Sequence, residues 1–141
     1  MPSGVHKAVG IERVDSLAEL LQTSDLVSIH CPLTAGTRGM IGAQEIAAMK
    51  PGAFLVNTAR GDIVQKAPVL SALREGRLAG AGLDVVENEP LRTAEEAATP
   101  NLIVTCHAAF CSPEGMVEMR RTSAKIARAA VTGQPVWNRV N

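Results

Sequence analysis

Short apolar runs alternate with amphipathic stretches along most of the chain. Runs of Val, Leu, Ile and Ala bounded by Gly, Pro or Asn are typical of buried strands, and four of them predict strands at residues 26–30, 54–57, 80–85 and 101–106. Helices are predicted near residues 44–49 and 67–75, with Gly76 ending the second. This alternation indicates an α/β domain with a mainly parallel sheet and flanking helices.

Capping residues mark the starts of two further helices. Ser16 and Glu19 have the spacing of a capping box, which predicts a helix to about residue 22. Its inner face should carry Leu17, Leu20 and Leu21. Ser112 followed by Pro113 predicts an N-cap and a last helix that continues to about residue 132.

Length and composition limit the class of protein. The 141 residues suit one domain, which we place at residues 1–132, with residues 10–14 as a short edge strand and 133–141 as a tail. The formal net charge is zero and aromatic residues make up only 2% of the chain, so neither nucleic acid nor a membrane is indicated as a partner. Three cysteines, an odd number, favour the reducing cytoplasm over a disulfide framework.

Ionisable side chains stand where the predicted strands stop. Arg60, Glu89 and His107 each follow an apolar run, and the carboxyl ends of parallel strands share one edge of a sheet. An arginine can bind a carboxylate through two hydrogen bonds, and a histidine beside a carboxylate can move a proton near neutral pH. Asp84 ends an apolar strand, where a charge normally caps a helix, pairs or binds a ligand. The four residues predict an acid/base site that binds an anion.

Each of these residues also has an ordinary structural interpretation. Arg60 could be a surface residue of a strand-to-helix loop, His107 a hydrogen-bonded structural histidine, and Glu89 part of a solvated acidic loop. Cys106 and Cys111 flank His107, but the paired CxxC spacing of zinc sites is missing, so no metal is predicted.

Several segments resemble the signature sequences of the NAD-dependent D-2-hydroxyacid dehydrogenases. The strongest are NTARG (57–61), GLDVVENEP (82–90) and NLIVTCHAA (101–109), and residues 30–34, 37–41 and 49–53 fit the same family. The segment HAAF (107–110) with EMR (118–120) is nearest to the C-terminal-binding-protein branch, which includes transcriptional corepressors as well as bacterial enzymes. The resemblance covers nearly the whole chain and implies a partial Rossmann-like cofactor domain.

The resemblance also implies a role for individual residues. Arg60 would hold the substrate's carboxylate and 2-oxo group, His107 would protonate the ketone oxygen as hydride arrives, and Glu89 would be its carboxylate partner. The implied cofactor is NAD, with NADP left open, and its expected contacts are Cys31, Pro32, Thr34, Thr58, Ala59, Arg60, Asp84, His107 and Ala109. The substrate would be a small 2-oxo or 2-hydroxy acid, and its expected contacts are Arg60, His107 and Phe110.

One hallmark of the family is missing from this sequence. The fingerprint G-x-G-x-x-G, whose helix N-terminus binds the dinucleotide pyrophosphate, is not found, and neither is the acidic residue that follows it. We therefore expect a chain that lacks the first βαβ unit and does not bind NAD tightly by itself. The strand at 26–30 would be an open apolar edge, covered by another copy in a homo-oligomer or by a complementing chain.

Three functions stay open on the sequence alone. The first is hydride transfer between NAD(H) and a 2-oxo or 2-hydroxy acid, carried out in a full-length or complemented form. The second is a corepressor-like NAD(H)-sensing interaction module, and the third is a catalytically inactive truncated remnant. The presence of Arg60, Glu89 and His107 favours the first over the second as the ancestry of the chain, whereas the missing fingerprint favours the third for the chain by itself.

Overall fold

Four short apolar segments form a parallel sheet, and their order in the sheet is their order in the chain. The computed structural model describes residues 10–91 and 93–136, and its strands are β1 (Leu26–Ile29), β2 (Ala53–Asn57), β3 (Leu78–Leu83) and β4 (Leu102–Val104). The four strands predicted from the apolar runs are therefore present. Strand β3 ends earlier than predicted, because its last residue, Leu83, pairs with Asn57 at the end of β2. Asp84 consequently lies in the loop that follows β3.

Helices alternate with the strands as the sequence indicates. They are α1 (Leu17–Thr23), α2 (Ala43–Ala48), α3 (Lys66–Arg74), α4 (Ala94–Ala97) and α5 (Pro113–Val131), with a 3-10 turn at Gly61–Ile63. Ser16 Oγ accepts a hydrogen bond from the amide of Glu19 at 3.1 Å, and Ser112 Oγ accepts one from Gly115 at 2.9 Å. Both predicted N-caps are thus confirmed. Gly76 follows α3 with a φ of +69°, as expected of a residue that ends a helix.

The chain divides into two compact units, residues 1–107 and 108–141. The sheet and helices α1 to α4 belong to the first unit, and α5 belongs to the second. None of the helices described is both long and apolar enough to cross a membrane. Helix α5 ends at Val131, and the domain boundary predicted at residue 132 stays a prediction.

One face of the sheet carries the core of the first unit. Alternate strand residues point to the same face, and the register partners Val27, Leu55 and Ala81 are all buried there. Helices α1 to α3 add to this core Leu21, Ile46, Val69 and Leu73. The opposite face exposes Leu26, Phe54 and Ile103. Strand β1 forms one edge of the described sheet, as expected.

Three local predictions were wrong. Residues 10–14 form no strand, because no segment of the described chain pairs with them. Leu20 is exposed, since α1 is short and contacts the core through Leu17 and Leu21, which lie four residues apart on one side of the helix. The acidic loop after β3 contains helix α4, which begins with a capping box in which Thr93 and Glu96 each accept from the other's amide.

Candidate active site at the carboxyl edge of the sheet

The ends of β2, β3 and β4 lie side by side. Asn57, Leu83 and Val104 are register partners, so the residues that follow each of them come out at the same edge. Backbone hydrogen bonds continue past the strands, from Asp84 N to Asn57 O at 2.9 Å and from Thr105 N to Leu83 O at 3.1 Å. The sheet therefore fixes the starting points of three loops, which carry Arg60, Glu89 and His107.

A cavity of about 290 Å³ opens at this edge, within the first unit. Its lining residues come from the loop after β3 and from the end of β4, and they are Asp84, Val86, Glu89, Pro90, Val104, Thr105, Cys106 and His107. Three of the four predicted ionisable site residues thus share one cavity. Arg60 is not among the residues that line it.

The predicted pairing of His107 with Glu89 is present. His107 Nδ1 lies 3.0 Å from Glu89 Oε2, and the two side chains are 47% and 38% exposed. The other carboxylate oxygen, Oε1, accepts from the amide of Val86 at 3.2 Å. Because an ionised carboxylate only accepts hydrogen bonds, Nδ1 carries the hydrogen of this contact. The ring is therefore oriented with Nε2 as the nitrogen that faces away from Glu89.

The backbone of His107 is in an unusual conformation. Its φ is +57°, in the left-handed region that residues with a side chain seldom adopt. Such a conformation costs on the order of 1–3 kcal/mol and is found mainly where the surrounding structure imposes it, often in active sites. The surrounding structure therefore holds the backbone of His107 in this conformation, and with it the position of the imidazole.

Asp84 is the buried acid of the site, at 6% exposed. Thr105 Oγ1 donates a hydrogen bond to Asp84 Oδ1, which ties the end of β3 to the end of β4. A carboxylate is rarely buried without such partners, because the loss of hydration would destabilise the fold. Thr105 is a residue of the site that the sequence did not single out.

Arg60 lies on a turn that a buried asparagine organises. Asn57 is 0% exposed, its Oδ1 accepts from Ala59 N at 3.0 Å, and its Nδ2 donates to Arg60 O at 2.9 Å. The guanidinium of Arg60 is exposed and donates from Nη1 to Ala59 O at 2.7 Å. The turn fixes the backbone of Arg60, whereas its side chain is exposed and does not line the cavity.

Gly61 brings this turn against the loop that carries Glu89. A Cβ at this position would lie only 2.2 Å from the carbonyl oxygen of Val86, which is backbone and cannot move away cheaply. Val86 in turn donates to Glu89 and lines the cavity. The Arg60 turn and the Glu89 loop are therefore in direct backbone contact. This contact joins segments that are distant in sequence. The one sequence signal for it is the glycine at position 61.

The other predicted contacts of the cofactor lie on neighbouring loops or in the second unit. After β1, Cys31 is partly buried against the core, whereas Pro32 and Thr34 are exposed in a turn that Thr37 closes by donating to Pro32 O at 2.7 Å. Thr58 and Ala59 belong to the Arg60 turn. Ala109 belongs to the second unit, and so does Phe110, which was predicted to contact the substrate. Among the described residues, no group of three or more His, Cys, Asp and Glu side chains is placed to hold a metal ion.

Comparison with known proteins gives the context of this arrangement. A sequence model of the family described as "D-isomer specific 2-hydroxyacid dehydrogenase, NAD binding domain" matches residues 2–109. Glycerate dehydrogenase from Methylorubrum extorquens is 43% identical over 122 residues, which cover 84% of this chain and 39% of that protein. Glyoxylate reductase from Thermococcus litoralis is 41% identical over 136 residues, which cover 96% and 41%. The chain thus spans about two fifths of the length of these relatives.

Solved structures extend the comparison to the fold. The D-mandelate dehydrogenase of Rhodotorula graminis superimposes with a TM-score of 0.86 at 36% identity, covering 97% of this chain and 40% of that one. The D-lactate dehydrogenase of Lactobacillus jensenii, solved with NAD⁺, gives 0.80 at 31% identity, covering 90% and 42%. A dehydrogenase of Xanthobacter autotrophicus, solved with NADPH, gives 0.74 at 36%, covering 89% and 51%. The predicted Rossmann-like fold and cofactor class are confirmed, and the assignment to the C-terminal-binding-protein branch stays a prediction.

Proposed function

Because this chain belongs to the D-isomer specific 2-hydroxyacid dehydrogenase family, we propose that it carries the acid/base part of an active site that interconverts a small 2-oxo acid and its 2-hydroxy acid. The observation that supports this most directly is the hydrogen bond between His107 and Glu89 in a cavity at the carboxyl edge of the sheet. Ligands of open α/β sheets bind at such edges.

His107 is the proposed proton donor and acceptor. Since its Nδ1 faces Glu89, Nε2 is the nitrogen that would give a proton to the ketone oxygen during reduction and take it back from the hydroxyl group during oxidation. Glu89 orients the ring and stabilises the positive charge that it carries before the proton leaves. One proton and one hydride then convert the ketone to the alcohol, so the reaction is balanced.

Asp84 and Arg60 would position the reactants. When NAD(H) is bound, it supplies or accepts the hydride. A carboxylate can accept more than one hydrogen bond, so Asp84 can accept from the carboxamide of the nicotinamide as well as from Thr105. Arg60 has further N–H donors beyond the one that binds Ala59 O, and these suit the carboxylate of the substrate. Thr58 and Ala59 on the same turn, with Cys31, Pro32 and Thr34 after β1, would contact the cofactor.

The working protein would use a second chain segment to cover β1. We propose either a homo-oligomer or a complementing chain in this position, because β1 is an edge strand of the described sheet and pairs there with β2 alone. We also propose a cytoplasmic location, which the odd number of cysteines favours. Light scattering of the purified protein tests the proposal. A stable monomer with this edge open would contradict it.

An assay in a chimera tests the proposed chemistry directly. This chain would replace the matching segment of the Methylorubrum extorquens glycerate dehydrogenase, and NADH formation with glycerate would be followed by absorbance. We expect His107→Gln to lower kcat by about 10²–10⁴-fold, which is the usual contribution of a general acid/base. His30→Gln is the matched control, because His30 is exposed and bonds Ser28. A chimera that turns over equally well without His107 would contradict the proposal.

A further inference from the structure

The loop that carries Glu89 is held by a lysine on the helix that precedes it. Lys66 is the first residue of α3, and it contacts this loop twice. Its amide donates to Glu87 Oε2 at 2.5 Å, and its Nζ lies 2.7 Å from Glu96 Oε1. Glu87 lies before Glu89 in the chain and Glu96 lies after it. The two contacts therefore hold the loop on both sides of Glu89.

We propose that Lys66 is a positioning residue for Glu89 and, through Glu89, for the imidazole of His107. The proposal rests on the proposed function, in which this pair moves the proton. His107 and Glu89 are both about half exposed, so packing alone does not hold them at 3.0 Å. A displacement of about 1 Å at such a contact can cost on the order of 100-fold in rate.

The ion pair between Lys66 and Glu96 is suited to this task. Its side chains are only 16% and 20% exposed, which is far less than in the pairs of Arg38 with Asp62 and of Lys50 with Asp25. A partly buried pair is screened little by water and salt, so its geometry is well defined. Glu96 is held further by the amide of Thr93 through its other oxygen. The ammonium therefore meets an acceptor that is itself fixed.

The contact with Glu87 is equally specific. Gln65, the N-cap residue of α3, makes no side-chain cap hydrogen bond, and the carboxylate of Glu87 accepts from the amide of Lys66, one of the first-turn amides that have no acceptor within the helix. A negative charge is favourable at a helix N-terminus. Because α3 is anchored in the core by Val69 and Leu73, the loop is tied to one of the most firmly packed elements of the unit.

The tautomer of His107 is a direct readout of this positioning. A carboxylate that accepts from Nδ1 favours the tautomer with hydrogen on Nδ1, whereas a ring released from Glu89 samples both tautomers. Long-range ¹H–¹⁵N spectra of the 141-residue chain at alkaline pH report this ratio for each histidine. The chain has only three histidines, so a His107→Gln variant assigns the signals.

Lys66→Met removes the ammonium and keeps both the apolar stem and the amide that binds Glu87. We expect it to move the tautomer ratio of His107 away from Nδ1–H by at least about threefold, and to lower kcat in the chimera by a similar factor with little change in KM. Lys66→Arg should restore most of both. Lys50→Met is the matched control, because Lys50 pairs with Asp25 at 2.8 Å beside the opposite, amino end of the strands.

The outcomes separate the inference from the function on which it rests. A Lys66→Met protein with the wild-type tautomer ratio overturns the inference, and so does one that changes no more than Lys50→Met. If Lys66→Met fails to fold, Glu96→Gln removes the same ion pair from the other side and carries the same expectation. A Glu89→Leu protein, in which no acceptor is left for Nδ1–H, that leaves the tautomer of His107 unchanged overturns the proposed function instead, since the pair would then not exist in solution.

Discussion

Two loops at one edge of the sheet position their functional side chains by different means. The Arg60 turn is fixed by a fully buried asparagine and by a glycine that admits close backbone contact. The Glu89 loop is held by charged groups of Lys66, and it ends against a histidine with a positive φ. The first loop has a fixed backbone and an exposed guanidinium that contacts only its own turn among the hydrogen bonds described. In the second loop, ionic contacts hold the backbone, and both carboxylate oxygens of Glu89 form hydrogen bonds.

The difference suits the two proposed tasks. A guanidinium that binds substrate must adapt to an incoming carboxylate, so its backbone can be rigid while its tip is free to move. A proton-transfer pair must keep one distance through the whole cycle, so the carboxylate itself has to be held. Substitutions that disturb the buried hydrogen bonds and backbone contacts without changing a charge test this difference between the two loops.

The largest effect is expected at Gly61. Gly61→Ala would place a methyl group 2.2 Å from the carbonyl oxygen of Val86, and the two loops would have to separate. We expect a loss of at least about 3 kcal/mol in the free energy of unfolding, measured by urea denaturation. Gly36→Ala is the control, because its added Cβ would make only an ordinary contact of 3.9 Å with Thr34, and the loss should stay within about 0.5 kcal/mol.

A smaller loss is expected from Asn57→Ala. The substitution removes both side-chain hydrogen bonds that shape the Arg60 turn from a site that is 0% exposed, and about 2 kcal/mol of stability should go with them. Urea denaturation at low and high salt would measure it. Because no net charge is involved, the loss should not depend on salt. A loss that disappears at high salt would break the contrast between the two loops.

The smallest effect concerns the backbone of His107. His107→Asn and His107→Ala both remove the imidazole, but asparagine tolerates a positive φ better than alanine does. We expect the Asn protein to be more stable by about 0.5–1 kcal/mol in parallel denaturation curves. The same pair of substitutions at His30, which is not among the described residues with positive φ, should give no such preference. Equal stabilities at position 107 would mean that the backbone there is not constrained.

Local sequence signals account for most of the fold. The strands were predictable because each is an apolar run bounded by residues that disfavour strands, and α5 was predictable because Ser112 and Pro113 mark its start. The capping box of α4 was also visible as Thr93 and Glu96, but four residues in an acidic stretch give no helical periodicity to accompany it. Leu20 was wrongly predicted to be buried, because the spacing of apolar residues does not tell how much of the surface of α1 contacts the core.

The site was predictable only in part. The residues after each strand pointed to Arg60, Glu89 and His107, because parallel strands deliver their carboxyl ends to one edge. The contacts that hold these residues in place could not be predicted, because those of Lys66 with Glu87 and Glu96 join segments that are distant in sequence. That Arg60 does not line the cavity could not be predicted for the same reason. A side chain that donates to its own turn leaves no trace in sequence periodicity.

The order of the strands has a consequence for how the polypeptide forms during synthesis. Each of β2, β3 and β4 pairs with the strand made just before it, so none of these three has to wait for a neighbour that is still inside the ribosome. By the time Leu83 has emerged, β1 to β3 and the helices between them can already assemble. Strand β4, which leads to His107, then pairs with a β3 that is already in place.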